Sequence, residues 1–256
     1  MNSPRKTIIK DIIKNSIETK LNSYNPETTK KPFHDLLLGR ERMVIYSFIH
    51  SLNTTFGTSI YEQIAIALAS KIFKKAEKQV KPPDEISSDA QQLIETIMNG
   101  LETGNKSPNK SQEIQDIREV CRSGTYVKVK LTQVDVWLEN TEGDLFLFDL
   151  KTVKPNKGNF QDYKRTLLKW AAAILGRDPE SIVNTMIGVP YNPYEPKPYN
   201  RWTAEKVLDM QQDILIADEL WDFIGGEGTY LELLNAFEQA GIELRDEIDE
   251  YFKQFS

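Results

Sequence analysis

Cysteine and histidine are nearly absent, with one cysteine and two histidines in 256 residues. Cys121 has no partner for an internal disulfide. With only His34 and His50 beside it, the set is too small for a four-ligand structural zinc site. Both histidines are read as structural or surface residues. A chain without a disulfide framework suits a reducing compartment, which points to the cytoplasm. Long apolar runs are also missing. The longest, residues 64–69 and 170–175, fall far short of the roughly 20 residues that cross a bilayer. Near the start, Lys10, Asp11 and Lys14 interrupt any apolar stretch of a secretory signal, so no signal peptide is expected. Low-complexity tracts and internal repeats are absent as well. An apolar fraction of 39% and a charged fraction of 27% leave an ordinary globular chain.

Positive charge is not in excess either, since the net charge is −6. The distribution is uneven. Residues 151–170 hold Lys151, Lys154, Lys157, Lys164, Arg165 and Lys169 against Asp162 alone, whereas residues 204–256 hold fourteen acids against Lys206, Arg245 and Lys253. A phosphate-binding face needs local positive potential rather than a basic whole, so a nucleic-acid partner is not excluded.

Hydrophobic periodicity predicts helices over residues 5–24, 40–53, 59–80, 86–101 and 110–121. The period then shortens. Alternation with β-branched and aromatic residues predicts strands over 125–138 and 145–152. A helix at 160–175, a strand at 182–189, a Pro/Tyr-rich loop at 190–200 and helices at 203–215, 217–224, 228–240 and 242–255 complete the pattern. The expected fold class is α/β, a small mixed sheet flanked by helices. It forms one domain over 1–256, with a mainly helical part at 1–121, a β/α core at 122–200 and C-terminal helices at 201–256.

The two strands flanking residues 140–144 can be set in register by burial alone. Val134, Val136 and Leu138 form one apolar row, and Phe146, Phe148 and Leu150 another. Placing both rows on one face sets Leu138 opposite Phe146, Val136 opposite Phe148 and Val134 opposite Leu150. The other face then receives Asp135 opposite Asp149, with Lys151 beside them. Facing residues on antiparallel strands lie about 4.5–5.5 Å apart at Cβ. Two such carboxylates repel each other, and a divalent cation offsets this. Mg²⁺ suits carboxylate oxygens and keeps sites for water and phosphate, with the Leu150 carbonyl as a further ligand. An ammonium at Lys151 can position water or stabilise developing charge.

These residues resemble the signature of the PD-(D/E)XK nucleases: Val134-Asp135, then Phe148-Asp149-Leu150-Lys151-Thr152. Valine stands where that family usually has proline. The resemblance implies a restriction-endonuclease-like core. Its upstream helical glutamate is matched by Glu62 in Gly57-Thr58-Ser59-Ile60-Tyr61-Glu62-Gln63, which implies a third, often water-mediated, metal contact. The RecB-like branch fits poorly, because Gln161 is followed four residues later by Arg165. More narrowly, FDLKTVKPNKGNFQDYKRTLLKW, residues 148–170, resembles the TdeIII group of type II restriction endonucleases. That resemblance implies a Mg²⁺-dependent homodimer cutting both strands of a short palindrome, of the GGNCC type. Mn²⁺ can substitute in such enzymes, and Ca²⁺ is expected to support binding only. A cognate DNA methyltransferase is expected as a genetic neighbour. A repair nuclease or junction resolvase, and a non-catalytic DNA-binding protein, are the alternatives.

DNA contacts are expected from Lys154, Asn156, Lys157, Asn159, Lys164 and Arg165, which follow the second strand. Pro155 and Gly158 predict a loop over 154–159. In the stiff loop after residue 189, Lys197, Asn200 and Arg201 are candidates for reading bases in the major groove.

Overall fold

The computed structural model describes residues 4–25, 31–151, 157–199 and 202–254. Its elements run α1 (Pro4–Ser23), α2 (Pro32–Leu38), α3 (Arg40–Thr55), a wide helical turn (Phe56–Ile60) and α4 (Tyr61–Ala69). Then come β1 (Lys75–Val80), β2 (Glu85–Ser87), α5 (Ser88–Thr103), α6 (Lys110–Val120), β3 (Tyr126–Lys128), β4 (Val134–Glu139) and β5 (Leu145–Leu150). After these lie α7 (Lys157–Arg177), β6 (Val183–Val189), α8 (Trp202–Glu205), β7 (Ile214–Ile216), α9 (Asp218–Gly225), α10 (Thr229–Glu243) and α11 (Arg245–Lys253). Contacts divide the chain into two compact units, residues 1–67 with 228–256, and residues 68–227.

In the first unit, Ile9, Ile13, Ile17 and Leu21 recur every fourth residue and form the buried stripe of α1. This helix packs on α10, and Lys10 and Lys14 both reach Glu243 at 2.7 Å. Phe48 of α3 meets the rings of Tyr24, Tyr251 and Phe252.

The second unit is built on a five-stranded mixed sheet in the order β1-β4-β5-β6-β7. β1 with β4 and β4 with β5 are antiparallel, while β5 with β6 and β6 with β7 are parallel. Parallel neighbours need a crossover, and α7 supplies it between β5 and β6. Its apolar side, Phe160, Leu167, Leu168, Ala171 and Ile174, joins the core with α5 and α6. At the β5–β6 step, Gly188 lies opposite Leu150. A Cβ on Gly188 would meet the Leu150 side chain at 2.6 Å, so a larger residue there would displace the end of β5.

Two predicted helices are partly strands. Within 59–80, the helix ends at Ala69 and residues 75–80 pair with β4 as an edge strand. Lys75, Ala76, Glu77, Lys78 and Gln79 favour helix locally, but the open edge of β4 offers hydrogen bonds that propensity cannot weigh. Lysines also suit an exposed edge. Within 203–215 only α8 is helical, and Ile214–Ile216 extends the sheet beside β6. The predicted strand 125–138 is two strands in different sheets, and α2 was not anticipated. Of the expected loop over 154–159, residues 157–159 belong to α7 and residues 154–156 lie outside the described residues.

Candidate active site

The burial-derived register holds along most of the β4–β5 hairpin: Val136 pairs with Phe148 and Leu138 with Phe146. Asn140 closes the turn, its side chain accepting the Asp144 amide at 2.8 Å, and Gly143 takes φ 92°. The hairpin's aromatic side, Phe146 and Phe148, packs against Phe223 of α9. The expected Val134–Leu150 pair does not form. Val134 pairs with Val80, and Leu150 pairs with Gly188. At this divergence the Leu150 amide, released from β4's backbone, donates to the Asp135 carboxylate at 2.8 Å. The mismatch at the hairpin's open end is therefore filled by the acidic side chain.

Asp149 is buried, at 6% exposure, beside Leu147 and Ile187 of the core. Burial pushes its carboxyl up to about 6. Lys151 works in the opposite direction, and Asp135, within hydrogen-bonding reach, adds to the rise. Lys151 Nζ lies 2.5 Å from Asp149 Oδ1 and 5.1 Å from the centre of the Tyr163 ring. Burial alone would lower the Lys151 pKa, but Asp149 and Asp135 raise it above its ordinary value. Lys151 therefore stays protonated at neutral pH and acts as a donor and a positive charge, not as a base. Gln79, on the far side of β4, donates to Asp135 Oδ1 at 3.0 Å.

Asp135, Asp149 and Lys151 are thus brought together as the sequence suggested. Glu62 is buried at 2% exposure rather than solvated, and it lies in α4, in the first unit. Hard oxygen donors from two carboxylates and the Leu150 carbonyl fit Mg²⁺, which commonly takes one or two protein carboxylates and completes its shell with water and phosphate. The under-compensated charge of Asp149 is what such a cation would relieve.

The expected DNA contacts fare unevenly. Lys164 is corrected: it is fully buried, its Nζ 2.5 Å from Asp213 and also paired with Glu113, where no phosphate reaches it. Lys110 joins this cluster, at 2.8 Å from both Asp213 and Thr185. Arg165 is engaged by Glu95, Glu102 and Asp162 at 3.4–3.7 Å. Lys197 is exposed in a loop held by Asn192, whose side chain donates to the Lys197 carbonyl at 2.8 Å. Lys154, Asn156, Asn200 and Arg201 lie outside the described residues, as do the side chains of Lys157 and Asn159. His34 and His50 are exposed. Gln79, Tyr163 and the Lys110–Glu113–Asp213 group escaped sequence reading. Only recognition of residues 75–80 as a strand would have exposed the first.

A mixed sheet flanked by helices, with two aspartates and a lysine where an antiparallel pair splays, defines a restriction-endonuclease-like protein of the PD-(D/E)XK kind. Residues 1–241 match the sequence model of the family described as HinfI, type II restriction endonuclease, and the chain belongs to that family. It is 30% identical over 197 residues to the type II restriction enzyme MjaII of Methanocaldococcus jannaschii, an alignment covering 72% of this chain and 51% of MjaII. The chain thus spans about half the length of that relative. With the type II restriction enzymes HgiEI and HgiBI of Herpetosiphon aurantiacus the identity is 25% in both cases. Those alignments cover 91% and 88% of this chain, and 87% and 82% of the relatives. No helix among the described residues is long and apolar enough to cross a membrane.

Proposed function

We propose that the chain is a Mg²⁺-dependent type II restriction endonuclease that hydrolyses one phosphodiester bond in each strand of a short palindromic DNA site. The observation that carries this reading is the mutually repelling pair of half-buried Asp135 and buried Asp149, with Lys151 at its side. Asp135, Asp149 and the Leu150 carbonyl would hold the ion, which when bound supplies Lewis acidity at the scissile phosphate and a more acidic water. Lys151 Nζ, fixed between Asp149 and the Tyr163 ring, donates to the attacking water or to a phosphate oxygen as charge builds there. Asp149, deprotonated above about pH 6, anchors that ammonium. The base-reading surface is the loop from residue 190, where Lys197 is exposed beside Asn200 and Arg201 in sequence.

Incubation with unmethylated phage DNA and Mg²⁺ is expected to give discrete bands. Asp135→Ala should remove them while leaving the fold intact. Smearing would favour a repair-type or nonspecific nuclease. Absence of cutting by pure protein would leave a DNA-binding module instead. A methyltransferase gene beside this one is expected, to protect the host's own sites.

One set of site residues serves one strand, and a twofold homodimer reaches both. Its contact is expected at α2 and α3. Phe33, Leu36 and Leu37 of α2 are 84%, 87% and 82% exposed, the helix buries no residue, and Tyr46 and Ile49 of α3 are exposed nearby in sequence. Exposed apolar side chains clustered along a chain segment mark interaction surfaces. Light scattering at micromolar concentration should give a dimer, and Leu36→Asp with Leu37→Asp should shift it to monomer and replace double-strand cleavage by nicking. A dimer unaffected by both substitutions would move the interface elsewhere.

A further inference from the structure

We infer that Gln79 is a positioning residue of this site, the group that fixes the Asp135 carboxylate in its cation-binding orientation. The inference rests on the metal-site reading above and extends it to a third strand.

Lys78 faces Val136 and Val80 faces Val134 across the β1–β4 pair, so Gln79 stands beside Asp135. Its backbone is unusual, with φ 55°, in the left-handed region that non-glycine residues seldom occupy and that costs stability. A long amide side chain has no local reason to prefer that conformation. It adopts that conformation between the paired Lys78 and Val80, and its side chain donates to Asp135 Oδ1 at 3.0 Å. On the other oxygen, Asp135 Oδ2 accepts the Leu150 amide at 2.8 Å. The carboxylate is thus gripped at both ends, by one donor from β1 and one from β5.

This grip has a chemical consequence. Each carboxylate oxygen has two acceptor positions, so one on each oxygen remains for a cation after both donors are satisfied. Without the Gln79 donor, Asp135 can turn about the remaining bond to Leu150. Its oxygens would then no longer be held in place opposite Asp149. Donors that orient a metal ligand commonly account for about 10–100-fold in metal affinity. Gln79, itself exposed, makes this contribution from a largely solvated edge strand.

The test uses the full-length protein and two variants that separate side chain from backbone. Gln79→Gly removes the amide and relieves the positive φ. Gln79→Asn tolerates that φ but carries an amide one methylene shorter. Both are expected to melt no lower than wild type. In titrations of the DNA-free protein with Mn²⁺, followed by calorimetry, both should bind about 10–100-fold more weakly. In single-turnover cleavage, the half-saturating Mg²⁺ concentration should rise by the same factor, with the rate largely restored at saturating Mg²⁺. Unchanged Mn²⁺ affinity in both variants overturns the inference. So does a slowed rate at saturating Mg²⁺ with unchanged half-saturation. Wild type that binds no Mn²⁺ defeats the metal reading itself, and the inference with it. Wild type that binds while the variants bind equally well defeats Gln79 alone.

Discussion

Asp149→Asn should abolish DNA cleavage, by about 10³-fold or more, while making the metal-free protein more stable at pH 8. The first effect follows from losing an anionic ligand and the anchor of Lys151 together, where several kcal/mol of charge stabilisation is at stake. The second follows from burial. In the folded protein the Asp149 carboxyl titrates at about 6, whereas an unfolded aspartate titrates near 3.9. Between those values the native state holds the proton more tightly, so the contribution of this one group to native stability is fully present below pH ~4 and is lost as pH rises through about 6. Asparagine has no charge to bury and escapes that decline. Thermal melts of wild type and Asp149→Asn without metal should therefore separate as pH rises from about 4 to 6, stay apart above that and converge toward pH 4. Mg²⁺ should raise the melting temperature of wild type at pH 8 and leave the variant nearly unmoved. Cleavage by wild type should in turn increase with pH across the same window, as proton and cation compete for one carboxylate. Equal melting curves at pH 8, or cleavage by the variant near the wild-type rate, would sink the assignment.

Asp213→Ala should be the most destabilising single change in the second unit, costing about 3–5 kcal/mol, the range for breaking a buried ion pair from one side. Asp213 is fully buried and neutralises two buried lysines, Lys110 at 2.8 Å and Lys164 at 2.5 Å, while also accepting the Asp209 amide at 2.9 Å. Removing it leaves two ammonium groups facing each other away from water, with Glu113 the remaining carboxylate of the cluster. Burial already holds the Lys110 pKa below its ordinary value, so this group is the first to shed its proton in the variant. Burial would raise the Asp213 carboxyl, but Lys110 and Lys164 outweigh it and hold it below the usual range. Its contribution is therefore fully present above the unfolded value near 4 and is lost as pH falls below that. Urea unfolding at pH 7 should show the loss, and the wild-type advantage should narrow in acid below pH 4. A change under 1 kcal/mol would mean that water or Glu113 takes over the role.

The comparison of sequence with structure turns on the distance over which each signal acts. Asp135, Asp149 and Lys151 were legible because a β-strand has a period of two and one face of the hairpin is apolar. Those facts alone fix which side chains share the other face. The amphipathic helices α1, α5 and α7 were legible for a similar reason, since burial on one side imposes spacing along a single segment.

What needed the fold was whatever depends on a partner far away in sequence. Residues 75–80 carry helix-favouring side chains, and only the free edge of β4, more than fifty residues on, makes them a strand. Gln79 enters the site by that route. The basic stretch after Lys151 looked like a phosphate-binding face because charge was counted along the chain, yet Lys164 and Arg165 are occupied by Asp213, Glu113, Glu95 and Glu102. Counting cannot reveal this, since an ion pair is decided by which side chains share a low-dielectric space. The sequence by itself determined the hairpin, its register near the turn and the opposed carboxylates, because local burial governs all three. The tertiary structure alone decided where β4 and β5 part, which amides then grip Asp135, and that Lys164 is taken up by an internal ion-pair cluster. Each of those depends on strands and charges brought together from opposite ends of the second unit.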